Sequence, residues 1–285
     1  MFFQQLINGL AAGSIYAMVA LGYTMIYGIL GIINFAQGEI YMAGAYAAVM
    51  LIGALHIGFF PAFALALVVA AAVGVLMERL AFRPLRNLNP LIPLIAAIGV
   101  SICLQDVARL LFGPDKRPFP IKIELEPFIL FGNQIPALEI YVLITASILM
   151  TALYLFINKT KYGKAIVASA SDGETARLMG INVDTMITLT FIIGSIMSGA
   201  AGVLMAIEYN TYPSMGVLPG LKAFSAAILG GVGSIPGAII GGLIIGVAEN
   251  LGAAYIMSGL KDAVAFAILI IMLIVKPSGI MGKRS

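Results

Sequence analysis

Residues 161–181, KYGKAIVASASDGETARLMGI, interrupt a chain that is otherwise built to sit in lipid. The runs on either side, 137–157 and 185–207, are long and apolar. The stretch between them carries Lys161, Lys164, Asp172, Glu174 and Arg177. A structured polar segment between two membrane spans lies in water, where it meets something soluble. Its local signals predict a short helix over 172–179. Ser171 and Glu174 stand at capping-box spacing, in which each side chain satisfies a backbone N–H at the other position. Asp172 adds negative charge at the positive end of the helix dipole, and Gly180 after Met179 reads as the C-cap. The helix would end in exposed Arg177, Leu178 and Met179, a mixture suited to a groove on a partner. An unpartnered amphipathic loop at the lipid interface is the alternative reading.

Composition sets the surroundings of this island. Of 285 residues, 61% are hydrophobic and only 10% charged, against roughly 25% charged in a soluble domain. With a mean hydropathy of +1.05, no single globular core hides this much apolar surface. The chain is therefore an all-α polytopic membrane protein, a single domain over 1–285. The net charge of +3 is too small to suggest nucleic acid; membrane lipid is the implied surrounding. A single cysteine, Cys103 in an apolar run, excludes an internal disulfide and reads as a small packing residue. Residues 1–38 hold no Lys or Arg, so they lack the positive start of a removable signal, and the N-terminus is expected to stay as a membrane helix.

Working outward, about eight hydrophobic segments emerge. Helices are predicted near 4–29, 39–56 and 60–80, with GIINFAQG (31–38 at its polar end) as an irregular connection. Residues 40–77 are uncharged and as one helix would reach roughly 57 Å, twice the hydrocarbon thickness, so the chain turns at Gly58 to Pro61. A basic loop with Arg79, Arg83 and Arg86 follows, then a span at 90–112. Residues 113–136 are Pro-rich with cancelling charges, and Ile121 to Glu126 alternate in a strand-like way. Spans at 137–157 and 185–207 flank the island. Residues 223–248 are uncharged but hold seven glycines and Pro236, and a last span covers 258–275.

Short positive loops face the cytoplasm. That rule places 79–86, the 159–181 segment and the C-terminal tail inside, and the 113–136 loop outside. Parity then fails if 223–248 crosses fully, because the positive tail would end outside. The break GGVGSIPG at 230–237 offers a solution, a half-helix that turns at mid-membrane and leaves on the side it entered. Broken helices are tolerated where they line protein or a water-filled path. There is also a faint internal echo. GIINFAQGEIYMAGAYAAVML and SMGVLPGLKAFSAAILGG both set an irregular, glycine-bearing turn before a small-residue helix, the pattern of duplicated halves around a transport path.

Candidate pathway residues follow from polarity at membrane depth. Asn34, Gln37 and Glu39 stand where apolar residues are expected; they line a path for a zwitterion or only cap the helix that follows. Tyr209 and Asn210, with Glu208, close the 185–207 span, where an interfacial role fits. Gly230, Gly231 and Gly233 make the break. Small residues at four-residue spacing, such as Gly194, Ser198 and Gly202, suit close helix packing. Asp106 and Arg109, three apart, are expected to pair. No metal-spaced Cys/His cluster, no Ser-His-acid set and no P-loop is present. The sequence implies no catalytic residue, metal or cofactor, and any ATP hydrolysis belongs to a separate protein.

Three blocks carry a family resemblance: GLAAGSIYAMVALGYTMIYGILGIINFAQGEIYMAGAY (9–46), RLMGINVDTMITLTFIIGSIMSGAAGVL (177–204) and GLKAFSAAILGGVGSIPGAIIGGLIIGVAE (220–249). They closely resemble the LivH-type permease of bacterial branched-chain amino-acid ABC importers. The match runs through most of the chain and is weakest over 113–136. It implies a type II-like importer core in the bacterial inner membrane, paired with a second LivM-type permease subunit, two cytoplasmic ATP-binding subunits and an extracytoplasmic substrate-binding protein. Leu, Ile and Val are the implied substrates, with residues 163–180 as the segment coupled to an ATPase. Relatives of this type also carry urea, short amides or other amino acids. An ion-gradient-driven secondary transporter is the competing class, but the uncharged spans 185–207 and 223–248 offer no ionisable residue for ion coupling.

Overall fold

The computed structural model describes residues 2–121, 128–130, 133–257, 259 and 261–282. Apart from a small hairpin pairing Phe128–Leu130 with Asn133–Ile135, the described elements are helices: α1 (Phe2–Leu30), α2 (Gln37–Leu55), α3 (Phe59–Leu85, with a π-helical turn at Glu78–Phe82), α4 (Leu91–Phe112), α5 (Ala137–Lys159), α6 (Lys161–Ser171), α7 (Gly173–Leu178), α8 (Val183–Glu208), α9 (Val217–Gly230), α10 (Ile235–Tyr255) and α11 (Lys261–Val275). Seven of these, α1 to α5, α8 and α10, are long and apolar enough to cross a membrane. The predicted strand at 121–126 lies almost wholly outside the described residues.

Small residues set the packing. α1 and α10 run antiparallel in close contact: a Cβ at Gly9 would stand 2.8 Å from the Val247 Cα, and one at Gly13 2.9 Å from the Gly242 oxygen. α2 and α8 meet at Gly44 and Gly199, where an added Cβ would sit 2.6 Å from backbone. Without a hydrophobic driving force in lipid, such close backbone approach supplies the van der Waals contact that holds helices together. α1, α2 and α8 are the buried centre, whereas α3, α4 and α5 expose most of their surface. Cys103 is exposed on α4, so it does not pack inside this chain as expected; α4 simply has few neighbours there.

The internal echo is real in three dimensions. α1 and α8 run in opposite directions and touch at Gly22 and Gly194, with 3.1 Å from an added Cβ to backbone. Each is followed by an irregular segment, 31–36 or 209–216, and then by a helix that starts in the middle of the bundle. The starts of α2 and α9 abut at Gly38 and Gly216.

The break at 230–237 is present, but not as a mid-membrane turn. Gly231 (φ +102°) and Gly233 (φ +91°) turn the chain at one end of the bundle, where Gly233 lies near Gly28 at the end of α1. Here the tail folds back, Ile280 N–H donating to the Leu229 carbonyl and Met281 N–H to that of Gly230, each at 2.9 Å. The mid-bundle start belongs instead to Val217, after the irregular residues 209–216. Parity is restored because 209–230 runs from one end of the bundle to the other as an irregular, turn-bearing segment plus a half-helix. At 14 residues, α9 is roughly 21 Å long, and the irregular segment 209–216 makes up the remaining depth.

Candidate functional site

Two regions collect the residues singled out above. The first is the polar end of the bundle. α5 turns into α6 at Thr160, whose hydroxyl accepts from the Gly163 N–H (3.0 Å). α7 is capped by Asp172, not Ser171. The Asp172 carboxylate accepts from the Glu174 and Thr175 N–H groups (3.0 and 3.1 Å) and from the Thr175 hydroxyl. Ser171 is the last residue of α6 and its hydroxyl donates back to the Val167 carbonyl. The capping box fails because α6 runs on through Ser171, which leaves Asp172 as the non-helical residue whose carboxylate takes the orphan donors of α7. Hydrogen bonds from Thr175 hold the Asp172 carboxyl below the usual carboxylate range. It therefore stays ionised at neutral pH, and its capping contribution is lost only as pH falls through that lowered value.

Gly180 ends α7 as expected. Its φ is +82°, its N–H donates to the Arg177 carbonyl and that of Ile181 to Ala176, the two bonds of a Schellman motif. Leu178 and Met179, 87% and 78% exposed, project as an apolar tip. Asp184, at the start of α8, gathers three arginines: Arg86 at 2.7 Å, Arg83 at 3.6 Å and Arg177 at 3.8 Å. The basic residues expected in a loop at 79–86 belong instead to the last turns and C-cap of α3; the cluster places them and the island at the same end of the bundle, and the tail reaches that end through Gly28 and Gly233.

The second region is the mid-bundle crossing. Asn34 and Gln37 are buried there and engaged by structure. Asn34 donates to the Gln37 side-chain oxygen (3.0 Å) and accepts from the Ala36 N–H. The Gln37 amide donates to the Gly194 carbonyl (3.0 Å) and the Ser198 hydroxyl (2.7 Å). Together they pin the start of α2 to α8. Glu39 differs: one carboxylate oxygen accepts from Ser101 and Gln105 of α4 (2.9 and 3.0 Å), and the other has no partner. It lines a cleft of roughly 190 Å³ with Phe35, Ile98, Gly216, Val217 and Leu221.

The other pathway candidates are not gathered here. Tyr209 and Asn210 line a separate cleft with Lys116 and Tyr212, near the Arg117–Thr211 bridge that ties the 113–121 loop to the end of α8. Gly230, Gly231 and Gly233 form the terminal turn. The Asp106–Arg109 pair forms as expected, at 2.8 Å.

Sequence reading missed one cluster. Lys222 and Glu249, 6% and 0% exposed, pair at 2.7 Å; Lys222 also reaches Asp262 at 2.6 Å, and Lys261 approaches Glu249 at 3.7 Å. Tyr16 of α1 donates to Glu249 (3.3 Å). The signal was there: each charge stands alone in an apolar, glycine-rich run that must be inside a bundle. The network joins α1, α9, α10 and α11 with its charges matched, so its chemistry is that of a tie.

The family described as "Branched-chain amino acid transport system / permease component" matches residues 5–273. The chain is 43% identical to the high-affinity branched-chain amino acid transport system permease protein BraD of Pseudomonas aeruginosa, over 99% of this chain and 96% of that protein. It is 45% identical to the corresponding permease protein LivH of Escherichia coli K12, with the same coverage. Among solved structures, a chain of PsaBC from Streptococcus pneumoniae in complex with Fab is similar at a TM-score of 0.53, covering 98% of this chain and 93% of that one. At 14% identity, that likeness concerns the fold alone.

Proposed function

Because the chain belongs to the branched-chain amino acid transport permease family, we propose that it is the membrane-spanning subunit of an ATP-driven importer for leucine, isoleucine and valine. Sequence identity of 43–45% over nearly the whole chain is the observation that carries this reading. The subunit itself is non-catalytic. It works with two cytoplasmic ATP-binding subunits, a second LivM-type permease and an extracytoplasmic binding protein, in the inner membrane of a bacterium, with its C-terminus inside.

The polar end supports the coupling role. α6 and α7 are held at a fixed angle by Thr160, Asp172 and Gly180, so a push on the Leu178–Met179 tip reaches α8 through Asp184 and its arginines. α8 in turn holds the start of α2 through Gln37. The path from the tip to the mid-bundle crossing is thus a chain of packed elements, the kind of linkage that can carry coupling. Substrate moves past the crossing as the two half-bundles shift.

The test is a cross-link. In the assembled complex with Cys103→Ser, a cysteine at Met179 should cross-link to an ATP-binding subunit, and leucine uptake by cells should be competed by isoleucine and valine. Cross-linking only to lipid, or uptake competed by urea or amides instead, would overturn the reading.

A further inference from the structure

We propose that Glu39 is the ammonium-binding residue of a transient amino-acid site in the cleft between α2, α4 and α9; this rests on the importer reading above. Glu39 is 1% exposed, yet no cation lies within ion-pairing distance of it among the described residues. Ser101 and Gln105 fix one of its oxygens and leave the other without a donor. A buried carboxylate is costly unless paired and hydrogen-bonded. Half of that requirement is met by neutral donors, and the missing half is a cation. Glu249 makes the contrast, because its buried carboxylate already holds Lys222 at 2.7 Å.

The rest of the cleft selects the remainder of the ligand. Phe35, Ile98, Val217 and Leu221 give apolar walls, while Gly38, Gly216 and Gly220 pack closely together beside the Tyr23 hydroxyl. α9 begins at this cleft with no side chain capping its N-terminus; the Val217 N–H donates to the Ser214 carbonyl, that of Gly220 to Gly216, and Pro219 has none, which leaves the Leu218 N–H as the donor at the positive end of the dipole. A buried anion, an uncapped helix start and branched apolar walls together fit a zwitterion with an aliphatic side chain. An uncharged polar solute such as urea would leave the carboxylate without its cation. Asn34 and Gln37 do not share this role, since their polar groups are already used to hold α2 on α8.

The experiment uses the complete transporter in proteoliposomes. Glu39→Gln keeps an oxygen for Ser101 and Gln105 and removes the charge. Leucine uptake should fall at least tenfold, while ATP hydrolysis stimulated by the binding protein and complex yield stay within twofold. Glu39→Asp should recover part of the uptake. The double variant Ser101→Ala/Gln105→Leu, which loosens the α2–α4 tie but keeps the charge, should lose less. Equal losses in Glu39→Gln and the double variant, or normal uptake by Glu39→Gln, would overturn the proposal and leave Glu39 a structural tie. A second measurement does not depend on any variant: photo-leucine activated during wild-type turnover should modify Glu39 or Ile98, and modification confined to other segments would overturn the assignment. If the wild-type complex takes up no leucine at all, the importer reading fails first, and this site falls with it.

Discussion

The abutting starts of α2 and α9 make a sharp prediction. A methyl at Gly216 would stand 2.5 Å from the Gly38 carbonyl carbon and closer still to its oxygen; one at Gly38 would stand 3.0 Å from the Gly216 carbonyl carbon. Ordinary contact begins near 3.4 Å, and both obstacles are backbone, which cannot rotate away as a side chain would. Gly216→Ala therefore forces the two helix starts apart by roughly 1 Å, at an overpacking cost of about 1–3 kcal/mol. Gly99→Ala is the control: nothing lies within 4 Å of its added Cβ, and a solvent- or lipid-facing Gly to Ala change inside a helix gains about 0.5–1 kcal/mol. The purified complex in detergent should melt several degrees lower with Gly216→Ala and no lower with Gly99→Ala. Uptake should fall in the first variant and persist in the second. A Gly216→Ala complex with wild-type melting and uptake would refute the claim that the two half-helices meet at this crossing.

Lys222→Met leaves Glu249 buried, with only Lys261 at 3.7 Å in its place; breaking a buried pair costs about 3–5 kcal/mol, so thermal melting should show a large loss that Glu249→Gln in the same chain partly restores. Leu178→Asp, on a tip that is 87% exposed, should leave the permease folded and in the membrane but weaken its co-purification with ATP-binding subunits and lower substrate-stimulated hydrolysis. In a Cys103→Ser background, cysteines at Lys164 and Arg86 should resist an impermeant reagent in intact cells while one at Lys116 reacts; labelling at 164 or 86 without 116 would invert the map.

Much of this architecture was legible because its signals are local. Uncharged runs mark spans, arginine-rich segments group at one end, and Gly180 announces a helix stop that only a residue tolerant of positive φ makes cheaply. Misreadings came where tertiary packing decides. Ser171 and Asp172 are both good caps, and the choice depended on where α6 chose to end. The glycines at 230–233 signal a turn, but its depth in the membrane is set by the length of α9, which a run of apolar residues does not reveal. Lys222 and Glu249 fall one residue outside the uncharged stretch 223–248, so a reading built on uncharged runs passes over them; only the mid-bundle start of α9 brings Lys222 inside. Glu39 was visible as a polar residue at membrane depth, whereas its partners Ser101 and Gln105, more than sixty residues away, were not.

The most direct test is energetic. The chain should be placed in proteoliposomes alone, and again with the second permease and ATP-binding subunits, with labelled leucine and the binding protein outside and ATP sealed within. Alone, it should accumulate no leucine under a proton or sodium gradient; the complete complex should concentrate leucine, and only when the enclosed nucleotide is hydrolysable. Concentrative uptake by the isolated chain on an ion gradient, or ATP-independent accumulation by the complex, would contradict its assignment as the permease of an ATP-driven importer.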